Sequence, residues 1–256
     1  MYTHGHHDSV LRSHRWRTAD NSAGYLLPLL APDMSLLDVG CGPGTITVDL
    51  AGRVGEVVGL DRSAEVLAEA AGLEHPGNVT FRTGDVYALP FDDGAFDVVH
   101  AHQLLQHLED PVTALAEMAR VSRRVVAVRD GDYGSMSWYP ADPVLDRWRD
   151  VYRAVARANG GQPDAARYLL SWAQRAGLSD VTATASVWCF ATPDDREWWG
   201  GMWADRITNS AIAGRAVDLG LATTADLDDM AAAWRRWAAA ADGWFAVVNG
   251  EVLARV

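Results

Sequence analysis

The sequence predicts an α/β fold in which a mainly parallel sheet is wound between helices. Three observations lead there. Short apolar strand patterns alternate with helical periodicities between residues 36 and 128. A glycine-rich turn joins the first strand to its helix. Three successive strands end in an acid, at Asp38, Asp61 and Asp85. With 256 residues, 49% of them hydrophobic, the chain has ample material for one large core.

Residues 1–19 are polar and include His4, His6, His7 and His14. They contain no apolar core of signal-peptide length and no second ligand cluster, so they read as a solvated tail rather than a metal site. Residues 21–31 carry Ala23, Leu26, Leu27 and Leu30 at helical spacing and stop at Pro32. This reads as a packing helix or lid, and residues 1–31 are taken together as an N-terminal lid.

Residues 36–39 form the first strand, and Gly40-Cys41-Gly42-Pro43-Gly44 is a tight turn into a helix from residue 45. Glycines there let the backbone approach a ligand, and the helix start offers unpaired N–H groups. The spacing is G-x-G-x-G, not the dinucleotide fingerprint G-x-G-x-x-G. A carboxylate at Asp38 suits an ammonium or sulfonium group better than a pyrophosphate. A strand-turn-helix without a ligand is the plain alternative.

The second strand runs over residues 56–61 and ends in Asp61, where nucleoside-binding α/β units offer a carboxylate to ribose hydroxyls. Helix capping is the competing role for Asp61, though Ser63 fills it more naturally. The helix 64–71 ends at Gly72, residues 78–83 make the third strand, and Gly84-Asp85-Val86 follows. Asp85 is suited to an exocyclic amino group and the Val86 amide to a ring nitrogen.

Residues 96–99 are the fourth strand, Asp110-Pro111 opens a helix over 111–121, and 125–128 is a fully buried fifth strand. Residues 131–140 read as a loop leaving the same sheet edge, where Trp138 and Tyr139 either meet a substrate or anchor the following helix. Helices over 143–158 and 164–174 precede a strand over 181–190. Seven of the eleven tryptophans lie beyond residue 180, and Trp198, Trp199 and Trp203 fall in a helical insertion over 191–241. They either pack that insertion or wall a flat apolar ligand. Asn249-Gly250 marks a hairpin between 244–248 and 251–254.

A net charge of −12, with no basic run beyond Arg123-Arg124 and Arg235-Arg236, disfavours nucleic acid as a partner. Two cysteines, Cys41 and Cys189, build neither a disulfide framework nor a cysteine zinc site, and they suit a reducing cytoplasm. No stretch approaches eighteen apolar residues, so a soluble protein without a membrane span is expected.

Together the motifs resemble those of class I S-adenosylmethionine-dependent methyltransferases, in the group that includes the ubiquinone- and menaquinone-biosynthesis methyltransferases. The resemblance rests on Leu37-Asp38-Val39-Gly40-Cys41-Gly42-Pro43-Gly44, Gly59-Leu60-Asp61, Gly84-Asp85-Val86 with Leu89-Pro90-Phe91, and Phe96-Asp97-Val98-Val99. It implies a Rossmann-like seven-stranded mixed sheet with helices on both faces, in a single domain. It also implies S-adenosylmethionine as cofactor and no metal. Gly40, Cys41 and Gly42 would pass under the methionine part, with Asp38 at its amino group. Asp61 would take the ribose, Arg62 would lie along the adenine, and Asp85 with Val86 would read the adenine edge. Ala101 and His102 would close the methionine end. The pair His100 and His102 departs from many relatives, which carry small or apolar residues there.

The implied activity is in-line methyl transfer to a small, apolar or aromatic acceptor whose identity and reacting atom the motifs do not specify; nor do they specify an oligomeric state. His102 is the candidate base for a phenol, enol or amine, since an imidazole pKa of about 6.5 suits proton removal near neutrality. His107 reads as structural. Trp138, Tyr139 and Trp199 are the candidate acceptor contacts. A protein of the same fold that binds the cofactor without methyl transfer is the alternative, and the glycine spacing disfavours a nicotinamide-dependent oxidoreductase.

Overall fold

The computed structural model describes residues 16–256. His4, His6, His7 and His14, with the first half of the expected lid, lie outside the described residues. Among the described residues, no helix is long and apolar enough to cross a membrane.

Seven strands form one mixed sheet: β1 Ser35–Val39, β2 Glu56–Asp61, β3 Val79–Thr83, β4 Phe96–His102, β5 Ser122–Tyr139, β6 Asp180–Phe190 and β7 Trp244–Arg255. Their order is β3-β2-β1-β4-β5-β7-β6. The pairs β1/β2, β2/β3, β1/β4 and β4/β5 are parallel. The chain steps outward from β1 to β3 and then returns to β4 on the other side of β1. That reversal makes a topological switch point, the place where open α/β sheets bind ligands. The helices are α1 Ala19–Ser22, α2 Thr45–Ala51, α3 Ala64–Ala71, α4 Pro111–Val121, α5 Pro143–Ala158, α6 Leu169–Arg175, α7 Pro193–Asn209, α8 Ala211–Asp218 and α9 Thr224–Ala239.

The described chain divides into two compact units. One comprises residues 16–130, 165–186 and 250–256. Its strands alternate between two apolar layers. Leu37, Val39, Leu60, Val99 and Val126 pack with α4 and α6, while Leu36, Val57, Val98 and Ala127 pack with α1, α2 and Leu26. Both faces are covered, which is why these strands read as nearly continuous apolar runs. Helix α4 begins as expected: Pro111 sits in its first turn, and the Asp110 carboxylate accepts from Thr113 N at 3.0 Å.

The other unit comprises Gly131–Asp164 and Val187–Asn249. Its core is aromatic: Trp148 meets Trp203 and Trp234 edge-on at 4.6 and 4.7 Å, and Trp199 stacks on Phe190 at 4.1 Å. Asp164 ties it together by accepting from Gly134 N, Arg153 and Arg157.

Four expected elements differ, one of them slightly: the helix expected over 164–174 is a 3₁₀ turn, Ala165–Tyr168, followed by α6. The expected helix over 21–31 is the single turn α1 and a separate 3₁₀ turn, Leu27–Leu29, because Thr18 caps α1 early and Gly24 and Pro28 interrupt any continuation of the helix. The expected loop over 131–140 is mostly strand, since β5 continues to Tyr139. Its glycines do not break it, because Tyr133 N donates to Pro163 O and Gly134 N to Asp164, so tertiary partners outweigh local turn preference. The expected hairpin at Asn249-Gly250 is the uninterrupted strand β7. Gly250 is there for close approach: a Cβ would sit 2.7 Å from the Ala166 carbonyl oxygen.

The turn that comes after β4 is held from β5. Asp130, 1% exposed, accepts from Leu105 N at 3.2 Å and Gln106 N at 3.4 Å. Burial dominates over these bonds and over the Arg129 and Arg17 charges, pushing the Asp130 carboxyl up to about 7. An acid whose pKa is higher folded than unfolded stabilises the fold at low pH and progressively loses that contribution between about pH 4 and 7. Asp130→Asn keeps an oxygen acceptor and removes the titration. It should flatten the fall in stability from pH 5 to 8, gaining on the order of 2–4 kcal/mol at pH 8 in urea denaturation. A parallel pH dependence in both proteins would contradict this account.

Candidate functional site

The site is built at the carboxyl ends of β1, β2, β3 and β4. Gly40, Gly42 and Gly44 have φ of 70°, 55° and 81°, the left-handed region that side chains with a Cβ rarely adopt. Gly40 is doubly constrained, because a Cβ there would meet the Leu104 side chain at 2.8 Å. The turn is bonded to β2: Gly40 N and Cys41 N both donate to Leu60 O, at 2.7 and 3.1 Å, and Gly42 N donates to Asp61 Oδ2 at 3.0 Å. The other Asp61 oxygen accepts from Ser63 N at 3.0 Å, while Ser63 itself caps α3 through Val66 N. Two backbone donors thus fix the Asp61 carboxylate and leave it lone pairs for a ligand hydroxyl.

Asp38 is 2% exposed. Its Oδ1 accepts from His100 Nδ1 at 2.8 Å and its Oδ2 from the Thr47 hydroxyl at 2.6 Å. Burial first, then the charges of Asp38 and Asp61, raise the Cys41 thiol well above its ordinary range, so it stays protonated. Arg62 is exposed beside Asp61. Asp85 is exposed, with Oδ1 accepting from Tyr87 N at 3.0 Å, and Val86 beside it is buried. The structure therefore gathers Asp38, the glycine turn, Cys41 and Asp61 into one bonded assembly, with Asp85 and Val86 following β3.

The end of β4 closes this row. The Ala101 side chain lies in the apolar core, so it can face a ligand with its backbone alone, and His102 is buried at the strand's last residue. Gln103 follows at φ 49°, an unusual conformation for a residue with a side chain. It is held there by its N–H to Arg129 O at 2.7 Å and by Arg17 Nη2, which donates to its Oε1 at 2.6 Å. Burial and then the Arg17 charge pull His107 down to about 3, so its imidazole is neutral, as a packing residue's should be.

Several participants escaped the sequence reading. Thr47 and Arg17 carry no local signal for their contacts. Asp130 did have one, since it comes soon after the strand expected over 125–128, as Asp38, Asp61 and Asp85 end or follow theirs. The Tyr25 hydroxyl is buried without a hydrogen-bond partner among the described residues, and burial raises its pKa well above 10. Near it, Arg129 Nε donates to Glu251 Oε1 at 3.3 Å, and Thr184 donates to Glu251 Oε2 at 2.9 Å. Burial pulls Arg129 down to about 10 despite Glu251. The candidate acceptor contacts belong to the aromatic unit. Trp138 stacks on Phe245 at 6.1 Å under the Arg149 guanidinium, Tyr139 is 56% exposed, and Trp199 is 6% exposed within the aromatic core.

The donor set fits an adenosine-bearing cofactor with an amino-acid tail: a turn whose three glycines hold left-handed conformations that a side chain disfavours, and an anchored acid one strand over. A family model described as a methyltransferase domain matches residues 37–125. An uncharacterized methyltransferase of Schizosaccharomyces pombe is 34% identical over 98% of this chain and 95% of its own length. A demethylmenaquinone methyltransferase of Beutenbergia cavernae is 31% identical over 54% of this chain and 57% of its own. Among solved structures, phosphoethanolamine N-methyltransferase 2 of Haemonchus contortus, in complex with phosphomonomethylethanolamine and S-adenosylhomocysteine, superposes with a TM-score of 0.57 at 19% identity, covering 93% of this chain and 52% of that one. The glycine turn, its acids and a relative matched over nearly its whole length lead to one conclusion: the chain belongs to the class I S-adenosylmethionine-dependent methyltransferases, and S-adenosylmethionine is its cofactor.

Proposed function

We propose that this enzyme methylates a small, largely apolar or aromatic molecule in the cytoplasm. The observation that carries the reading is the aromatic surface of Trp138 and Tyr139, a half-buried and an exposed ring at the end of β5. The net charge of −12 supports it, since a polyanionic acceptor would be repelled. S-adenosylmethionine, when bound, supplies a methyl group already activated as a sulfonium. What the chain must provide is geometry, and orienting two reactants can lower a barrier by roughly 7 to 11 kcal/mol.

In this reading Asp61 accepts from the ribose hydroxyls and Arg62 lies along the adenine. Asp85 and the Val86 amide read the adenine edge. Gly40, Cys41 and Gly42 pass under the methionine portion, which Ala101 and His102 border. Trp138 and Tyr139 contribute acceptor contacts, and Trp199, expected among them, backs them from the aromatic core through Phe245. Where the acceptor carries O–H or N–H, His102 takes the proton as the new bond to carbon forms.

Labelled methyl groups offered with a panel of phenols, quinols and amines should appear in an organic-extractable product. Label recovered solely in RNA, DNA or protein would reject the acceptor class. Asp61→Ala should weaken S-adenosylmethionine binding at least about tenfold by calorimetry while the fold survives, as losing a charge-assisted hydrogen bond costs about 1.5–3 kcal/mol. Unchanged affinity removes the ribose assignment. Tyr139→Ala should raise KM for the acceptor about fivefold and leave cofactor affinity within about twofold, since it deletes uniform acceptor binding. With an O–H acceptor, His102→Gln should lower kcat by about two orders of magnitude and abolish the acid limb of its pH profile; a full-rate variant would take the base role from His102.

A further inference from the structure

The acid at the switch point is already occupied by the protein. Asp38 and His100 are directly opposite in the β1/β4 register, so their side chains share a face and can meet at 2.8 Å. An ionised carboxylate only accepts, so this contact places the imidazole hydrogen on Nδ1. Thr47 comes from the first turn of α2, on the far side of the glycines. The Thr47–Asp38 bond therefore spans the turn from the residue two before Gly40 to the residue three after Gly44. His100 bonds the other oxygen of the same carboxylate. All three residues are buried.

We propose that Thr47, Asp38 and His100 form a staple that sets the curvature of the 40–44 turn, making His100 and Thr47 positioning residues for cofactor binding and Asp38 a member of the staple rather than the direct partner of the cofactor's amino group. The proposal rests on assigning that turn to the cofactor. It has a distinguishing consequence. Gly42 N is bonded to Asp61 Oδ2, and Gly40 N and Cys41 N to Leu60 O, so a turn that relaxes disturbs the ribose acid as well. Breaking the staple must weaken ligands that lack an amino-acid tail.

Calorimetry with S-adenosylhomocysteine and with 5′-methylthioadenosine, which has the nucleoside and sulfur but no amino-acid tail, tests this. His100→Leu and Thr47→Val should each weaken both ligands about tenfold, by factors agreeing within about threefold, the loss expected for one buried charge-assisted bond. His100→Asn and Thr47→Ser keep a donor near the lost position and should bind within about threefold of the parent, a rescue that a purely space-filling role would not produce. Where either donor-free variant fails to fold in a thermal melt, His100→Ala or Thr47→Ala replaces it against the same conservative pair. A loss confined to S-adenosylhomocysteine would make Asp38 a direct ligand of the amino group and overturn the staple. Undiminished binding by the donor-free variants would overturn it too. A parent that binds neither ligand would instead withdraw the cofactor assignment itself.

Discussion

The 2.6 Å bond between Thr47 and Asp38 is the constraint on which the rest of the site hangs. A turn of three left-handed glycines has little conformational preference of its own, because glycine gains its freedom by giving up the contacts a side chain would make. Its shape must be imposed from outside. Strand β2 imposes it through the Leu60 carbonyl and Asp61, the β4 side through Leu104 against Gly40 and through His100, and α2 through Thr47. Each contact is ordinary in strength, and their convergence on five residues is what makes the turn rigid enough to serve as a binding surface.

The same logic governs the far side of the switch point. Gln103 adopts a backbone conformation that costs about 1–3 kcal/mol for such a residue. It persists because Arg129 O, Arg17 and, two residues on, Asp130 over-determine the segment. Asp130 itself is costly, a buried acid held near its neutral form. So is the Arg129–Glu251 pair, since an apolar replacement of similar volume is often as stable or more so. Buried charge concentrated beside the carboxyl end of β4 is where a fold departs from the most stable arrangement, and such departures gather at functional sites.

Much of this was legible in the chain. The G-x-G-x-G turn, the three acids and the Asp110-Pro111 helix start were readable because each is written within a few consecutive residues, and each sits where it was expected. The failures share the opposite property. Gly250 looked like a turn because its neighbour is Asn249, and only Ala166, far away in sequence, explains it. Residues 131–139 looked like a loop because Gly131, Gly134 and two serines suggest one, whereas Pro163 and Asp164 supply the hydrogen bonds that keep Tyr133 and Gly134 extended. Thr47 could not be picked out from the pattern of α2, since its partner depends on how the turn folds back.

The aromatic unit shows how such a limit bears on recognition. A tryptophan-rich sequence cannot separate rings that build a core from rings that meet a ligand, because both want the same apolar face. Packing separates them. Trp148 meets Trp203 and Trp234 edge-to-face, a geometry that places positive ring edges over negative faces, while Trp203 and Trp234 lie nearly parallel to each other. Trp237 gives its indole N–H to Tyr139 O at 3.2 Å, fixing the backbone that carries the exposed Tyr139 ring. Trp199 lies 5.5 Å from Phe245, and Phe245 stacks in turn on Trp138. Within this unit, then, the rings form a graded series from the wholly buried trio and Phe245, through Trp199, to Trp138 and Tyr139. If the last two meet the acceptor, Trp199 reaches it through Phe245, and the rigidity of the core sets how closely an acceptor must match the surface presented to it.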